Sequence, residues 1–138
     1  MGSQENKELV RKYLSHQMKF EIDEAFEYVA PDATWWMPGH LPFSGTYTRE
    51  RILDVFRNAR SRFAGLPKME IVSMTAEEDR VAVEIEGHGK MSTGLDYANT
   101  YHMLFRVRDG KIASCKNYQD IHHIWELMQA DSLPPVKN

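Results

Sequence analysis

His40, Tyr13, Tyr101 and Asn117 are the side chains of this sequence that could together move a proton on a small organic molecule. An unperturbed imidazole titrates near ~6.5, so His40 can give and take a proton at working pH. Phenol hydroxyls such as Tyr13 and Tyr101 donate to a developing enolate oxygen, and an asparagine such as Asn117 orients a carbonyl or a water. His40 sits in a Pro- and Gly-rich loop beside Trp36, where a solvated histidine without a role is the competing reading. Asp120 is acidic and close to Asn117, but it precedes Ile121-His122-His123 at a strand-to-helix junction, which predicts a helix cap. His122 and His123 are adjacent, so on a helix they project apart. No HExxH or CxxC spacing occurs, and no metal is expected. Cys115 has no cationic partner in sequence and reads as a small buried hydrophobe. Gly87-His88-Gly89 falls inside a strand pattern and is no phosphate loop, so no cofactor is expected either.

These residues need elements to position them. Leu9, Val10, Tyr13, Leu14, Gln17 and Met18 form one helical stripe over 5–18. A short helix is expected near 23–30, stopped by Pro31. An aromatic strand follows at 34–37, then a loop with Pro38, Gly39, Pro42 and Gly45. Thr48 is placed to cap a helix carrying Ile52, Val55, Phe56, Ala59 and Phe63 on one side, ended by Gly65 and Pro67. Period-two runs mark strands at about 69–76, 80–91, 97–107 and 111–119, with an Asp109-Gly110 hairpin turn between the last two. A last helix covers 121–128, and the tail frays at Pro134-Pro135. Helices first and an antiparallel meander afterwards predict an α+β fold, expected as one domain over 1–138 with its core at about 5–128 and a tail at 129–138.

Alternation places Asn99, Tyr101, Met103, Phe105 and Val107 on one face of the long strand, and turns Cys115, Asn117 and Gln119 the same way on the last. The pocket expected there sets Tyr13, Asn99, Tyr101, Asn117 and Gln119 against Trp36, Met37, Met103 and Phe105. The alternative is that Asn99, Tyr101 and Asn117 satisfy one another in a closed core. His102 and His88 alternate outward.

Composition bounds the partners. The chain is 42% hydrophobic and 27% charged with net charge −3, which argues against nucleic-acid binding. Arg49, Arg51, Arg57, Arg60 and Arg62 recur at helical spacing and read as a solvated face. No apolar run reaches the ~18 residues of a membrane span. No apolar leader segment is visible, and the single cysteine suits a reducing compartment, so a cytoplasmic location is expected.

Four segments, "YVAPDATWWMPG", "FSGTYTRERI", "DYANTYHMLFRVRDGKI" and "KNYQDIHHI", resemble the recurring stretches of the SnoaL-like branch of the nuclear-transport-factor-2-like (ketosteroid isomerase-like) superfamily. That resemblance implies a cone-shaped, curved, mostly antiparallel sheet wrapped around N-terminal helices, and dimerisation through the outer sheet face. It also implies catalytic positions. The oxyanion-binding tyrosine of ketosteroid isomerase-like relatives falls on Tyr13, their general base on Met37 and their second acid on Met103. The acid of the epoxide hydrolase and cyclase branches falls on Asn117. A thioether or an amide cannot serve as a base at neutral pH, so the steroid isomerase mechanism is not expected. The reading that follows is a cofactor-independent acid–base enzyme (isomerase, cyclase or dehydratase) on an apolar polyketide or terpenoid intermediate. His40 would move the proton, Tyr13, Tyr101 and Asn117 would bind the oxygen, and Trp36, Met37, Asn99, Met103, Phe105 and Gln119 would bind substrate. A non-catalytic binding module, or a protein-interaction adapter, remain the alternatives.

Overall fold

The computed structural model describes residues 2–132. Helix α1 (Ser3–Gln17) leads into a short α2 (Ile22–Phe26), strand β1 (Val29–Met37), strand β2 (Gly45–Thr48) and helix α3 (Arg49–Ala59). A single tight helical turn at Arg60–Arg62 precedes β3 (Lys68–Glu77), β4 (Arg80–Lys90), β5 (Asp96–Arg108) and β6 (Lys111–Gln119), and α4 (Ile121–Ser132) follows. One six-stranded sheet has the order β2-β1-β6-β5-β4-β3, antiparallel throughout except where β1 runs parallel to β6. This is the expected α+β fold, with α1 and α3 packed on one sheet face.

Each element follows from local chemistry. On α1 the stripe Asn6, Val10, Tyr13 and Leu14 is buried, at the spacing that lines one helical face. Thr48 caps α3, its Oγ1 accepting from the Arg51 N–H at 3.3 Å. Asp109 (φ 52°) and Gly110 (φ 74°) make the β5–β6 turn, where positive φ at both central positions matches the twist of the flanking strands.

Two expectations about the first third of the chain are corrected. The short helix ends at Phe26, and the chain is already extended at Val29, which pairs with Ile112 while the Tyr28 carbonyl accepts from the Ile112 N–H. Pro31 therefore lies inside β1, where the register shifts between Val29 and Thr34. A residue without an N–H is tolerated at such a bulge. The loop after β1 also closes with a strand, β2, whose Tyr47 turns inward. The last helix runs beyond 128, and Pro134-Pro135 lie outside the described residues.

The interior has two ends. Trp35, Phe105 and Cys115 lie level across three strands, Trp35 pairing with Cys115 and Cys115 with Phe105. Tyr13 and Phe26 pack onto that level with ring centroids 5.7 and 5.8 Å from Trp35, and all five residues are at most 2% exposed. Close-packed aromatic rings fill this end. Two residues further along each strand the side chains become Met37, Met103 and Asn117, and there the packing opens.

Candidate functional site

The opening is a cavity of about 410 Å³ between the inner sheet face, the C-terminal end of α1, α3 and α4. It lies within the size range of small-molecule sites. Six of the eight methionines line it: Met18, Met37, Met69, Met91, Met103 and Met128. Phe20, Phe43, Phe56 and Phe63 add aromatic wall, and Tyr47, Tyr97, Tyr101, Gln17, Asn58, Asn117 and Gln119 supply neutral polar groups. Among the described residues Arg62 is the one charged group of the lining, with no carboxylate and no imidazole beside it.

Strand register builds the wall in layers. Met103 pairs with Asn117, and Tyr101 pairs with Gln119 one layer nearer α4. Above them a polar chain is locked in one orientation. The Asp120 backbone N–H donates to Asn99 Oδ1 at 3.0 Å, so the other end of that amide must be Nδ2. Asn99 Nδ2 donates to Gln119 Oε1 at 3.1 Å and lies 3.4 Å from the Tyr97 hydroxyl. Gln119 Nε2 then points at Met37 Sδ, 3.4 Å away. Asn117 belongs to no such chain: it is 3% exposed, and its Oδ1 has no hydrogen-bond partner.

Helix α4 is fastened over this end. Asp120 Oδ1 accepts from the His123 N–H at 3.1 Å, so the expected cap forms. His123 Nε2 accepts from the Ala98 N–H at 3.2 Å, which requires that nitrogen to be unprotonated. Ile124, Leu127 and Met128 of the helix then face the cavity.

Of the residues singled out in the sequence, Met37, Tyr101, Met103, Asn117 and Gln119 come together on the cavity wall. The others stand elsewhere. Tyr13 and Phe105 are in the aromatic end of the core, behind the Met37–Met103–Asn117 layer. Burial raises the Tyr13 phenol well above its ordinary value, with nearby Cys115 adding to the shift. Trp36 faces the opposite side of the sheet, its ring 5.2 Å from Tyr118 and beneath Lys116, because neighbours on a strand alternate and Met37 takes the inward place. The tryptophan packed between helices and sheet is Trp35. His40 is exposed on the loop between β1 and β2, outside the lining, although Phe43 of that loop is part of it. Asn99 is buried in the polar chain rather than on the cavity wall. No hydrogen bond joins Asn99, Tyr101 and Asn117 to one another among the described residues. They sit on different layers, so the closed-core alternative for that trio is not what forms.

Sequence reasoning missed most of the methionines, the α3 face and α4 as lining. The inward phase of β3, and the abundance of Met at element ends, were the available signals. His88 and His102 are exposed as expected. Cys115 is buried beyond the reach of the cavity, and its thiol is pushed up by desolvation. Among the described residues no three His, Cys, Asp or Glu side chains stand together as a metal set, and no helix is long and apolar enough to cross a membrane.

The family pattern described as the SnoaL-like domain matches residues 10–115. The chain belongs to the SnoaL-like family. Solved structures agree on the nuclear-transport-factor-2-like fold. One from Burkholderia xenovorans LB400, described as an NTF2-like protein, superposes with a TM-score of 0.73 at 21% identity over 92% of this chain and 98% of its own. A protein from Jannaschia sp. CCS1, assigned as a SnoaL-like polyketide cyclase, gives 0.75 at 18% identity over 96% and 95%. TerC, co-crystallised with polyporic acid, gives 0.76 at 19% identity over 91% and 98%. No curated protein matches this SnoaL-like chain in sequence.

Proposed function

We propose that this SnoaL-like domain binds an apolar, oxygen-bearing small molecule of the polyketide or terpenoid kind in the cavity beneath α4. The carrying observation is the lining itself: methionine and aromatic wall, with neutral hydrogen-bonding groups from Tyr101, Asn117 and Gln119. Thioethers are polarisable and adaptable, and they make favourable contacts with aromatic rings. A few placed polar groups in such a wall fix a ligand's orientation. The co-crystallisation of TerC with polyporic acid, and the cyclase assignment of the Jannaschia protein, are in keeping with a ligand of this class. A panel of cyclic ketones and phenols, followed by thermal shift and fluorescence titration, tests the reading. Binding should be weakened when Leu127 at the cavity wall is replaced by Trp, and a panel without any ligand would overturn it.

A catalytic version of the same reading uses Tyr101 and Asn117 to hold an enolate oxygen during isomerisation, cyclisation or dehydration. Among the described residues the lining supplies no carboxylate or imidazole base, so the proton would pass to His40, three residues before the cavity-lining Phe43. His40→Ala should then lower turnover about 10²–10⁴-fold. Unchanged turnover returns the site to pure binding. The exposed Tyr118 and the Trp36 ring beside it also support a homodimer through the outer sheet face. Light scattering at micromolar concentration checks this, and a monomer there would refute it.

A further inference from the structure

We infer that Gly87, on the inner face of β4, sets the largest ligand the cavity admits. Its missing side chain lets Met69 lie flat against the sheet. The inference rests on the cavity being a ligand site, and it adds what limits that ligand's size. Gly87 is buried and pairs with Met69 of β3 and Asn99 of β5. A Cβ at this position would stand 2.5 Å from Met69 Sδ and 3.2 Å from Met69 Cε, well inside van der Waals contact. It would stand 3.4 Å from Tyr97 Cε2, which is close to an ordinary contact. The end of the Met69 side chain therefore fills the place that a side chain at 87 would take.

The backbone does not call for glycine here. Among the described residues, positive φ falls on Gly39, Gly45, Gly65, Gly94 and Gly110, and not on Gly87. Glycine inside a strand weakens it, and marks a place where another group approaches closely. At Gly89, two residues on, that group is Pro67, whose Cα would lie 3.2 Å from a Cβ, so the conflict there is with backbone. At Gly87 it is the far end of an unbranched, flexible thioether that lines the cavity.

Met69 is thus the movable part of the wall, and Gly87 the fixed seat beneath it. The sheet closes the way below Met69, and Tyr97 stands on the far side of Gly87. A thioether pushed off its seat rises toward the cavity and takes room from the ligand. Hydrophobic pockets discriminate a single methylene by about tenfold or more, so a shift of this size is felt as selectivity. The effect falls on large ligands, since a small one can lie clear of Met69 in a space of about 410 Å³.

The test compares 2-naphthol, with two fused rings, and 6-hydroxychrysene, with four. Both are titrated by their own fluorescence into the wild type, Gly87→Ala, and the double variant Gly87→Ala with Met69→Ala. The wild type should bind the four-ring probe at least as tightly as the two-ring one, because more apolar surface is buried. Gly87→Ala should weaken the four-ring probe about tenfold and leave 2-naphthol as it was. The double variant removes the displaced thioether and should restore the four-ring probe. Three results overturn the inference and leave the cavity reading standing: a wild type that binds the four-ring probe more weakly than 2-naphthol, an equal effect or none on both probes in Gly87→Ala, or no recovery in the double variant. Failure of Gly87→Ala to fold also overturns it, because Met69 should yield at little cost. Failure of both probes to bind the wild type overturns the cavity reading, and this inference with it.

Discussion

Replacing Asn99 by Leu removes the residue that ties the cavity wall to α4. Asn99 makes two well-formed hydrogen bonds, to the Asp120 N–H and to Gln119 Oε1, and a longer one to the Tyr97 hydroxyl. Each well-formed bond is worth about 1 kcal/mol net, and stranding the part-buried Gln119 oxygen adds roughly 1–2 kcal/mol. Leucine has the same number of side-chain heavy atoms in the same branching, so no cavity is left behind. The sum is a loss of about 3–4 kcal/mol, which for a chain of this size is on the order of 10 °C in melting temperature. Differential scanning calorimetry reads it directly. The companion Asn117→Leu should behave oppositely. It deletes an acceptor that already has no partner, so stability should hold or rise by about 1 kcal/mol. Two buried asparagines two layers apart would thus differ by several kcal/mol for the same substitution. A melting temperature for Asn99→Leu within about 2 °C of wild type would refute the assignment of Asn99 as the fixed hub.

Tyr101→Phe should move stability by less than about 0.5 kcal/mol while weakening oxygen-bearing ligands, because its ring lines the cavity and no described protein group bonds its hydroxyl; thermal unfolding alongside ligand titration checks both halves. Asp120→Ala removes the α4 cap and should cost about 1 kcal/mol, with faster hydrogen exchange confined to the amides of 121–124. Burial raises the phenols of Tyr13 and Tyr97 above the ordinary value of 10.0, so the unfolded chain releases those protons first as pH rises. Their contribution is complete below about pH 10 and is lost above it. The ultraviolet signal of tyrosinate at these two rings should therefore appear only together with unfolding.

Much of the fold was legible because the strands bury one face each. Alternation along β5 and β6 fixes Asn99, Tyr101, Met103 and Phe105, and Cys115, Asn117 and Gln119, as inward, and all are buried or half-buried. The same rule, applied strictly to β1, separates Trp35 and Met37 from Trp36, since adjacent residues cannot share a face. Alternation gives direction but not depth. It does not say that the interior is filled at the Phe105–Cys115 level and open two residues later. That division depends on Tyr13 and Phe26 arriving from helices far away in sequence. The same limit hid the bonding of Asn99, whose decisive partner is a backbone N–H at the start of α4. Helix α4 was legible as a helix, and the Asp120 cap with it. Its place over the cavity depends on Ile124 and Leu127 meeting Tyr97, a contact no local pattern specifies.

The methionines give the most direct measurement of the central claim. Protein labelled with ¹³C at the methionine methyl groups carries six reporters on the cavity wall and a seventh, Met74, that packs against the core from β3 without lining the cavity. Titration with 9-phenanthrol should shift the signals of Met18, Met37, Met69, Met91, Met103 and Met128 along one saturating curve, while Met74 stays in place. The claim of a ligand site between sheet and helices is contradicted if the six do not move, or if Met74 moves with them.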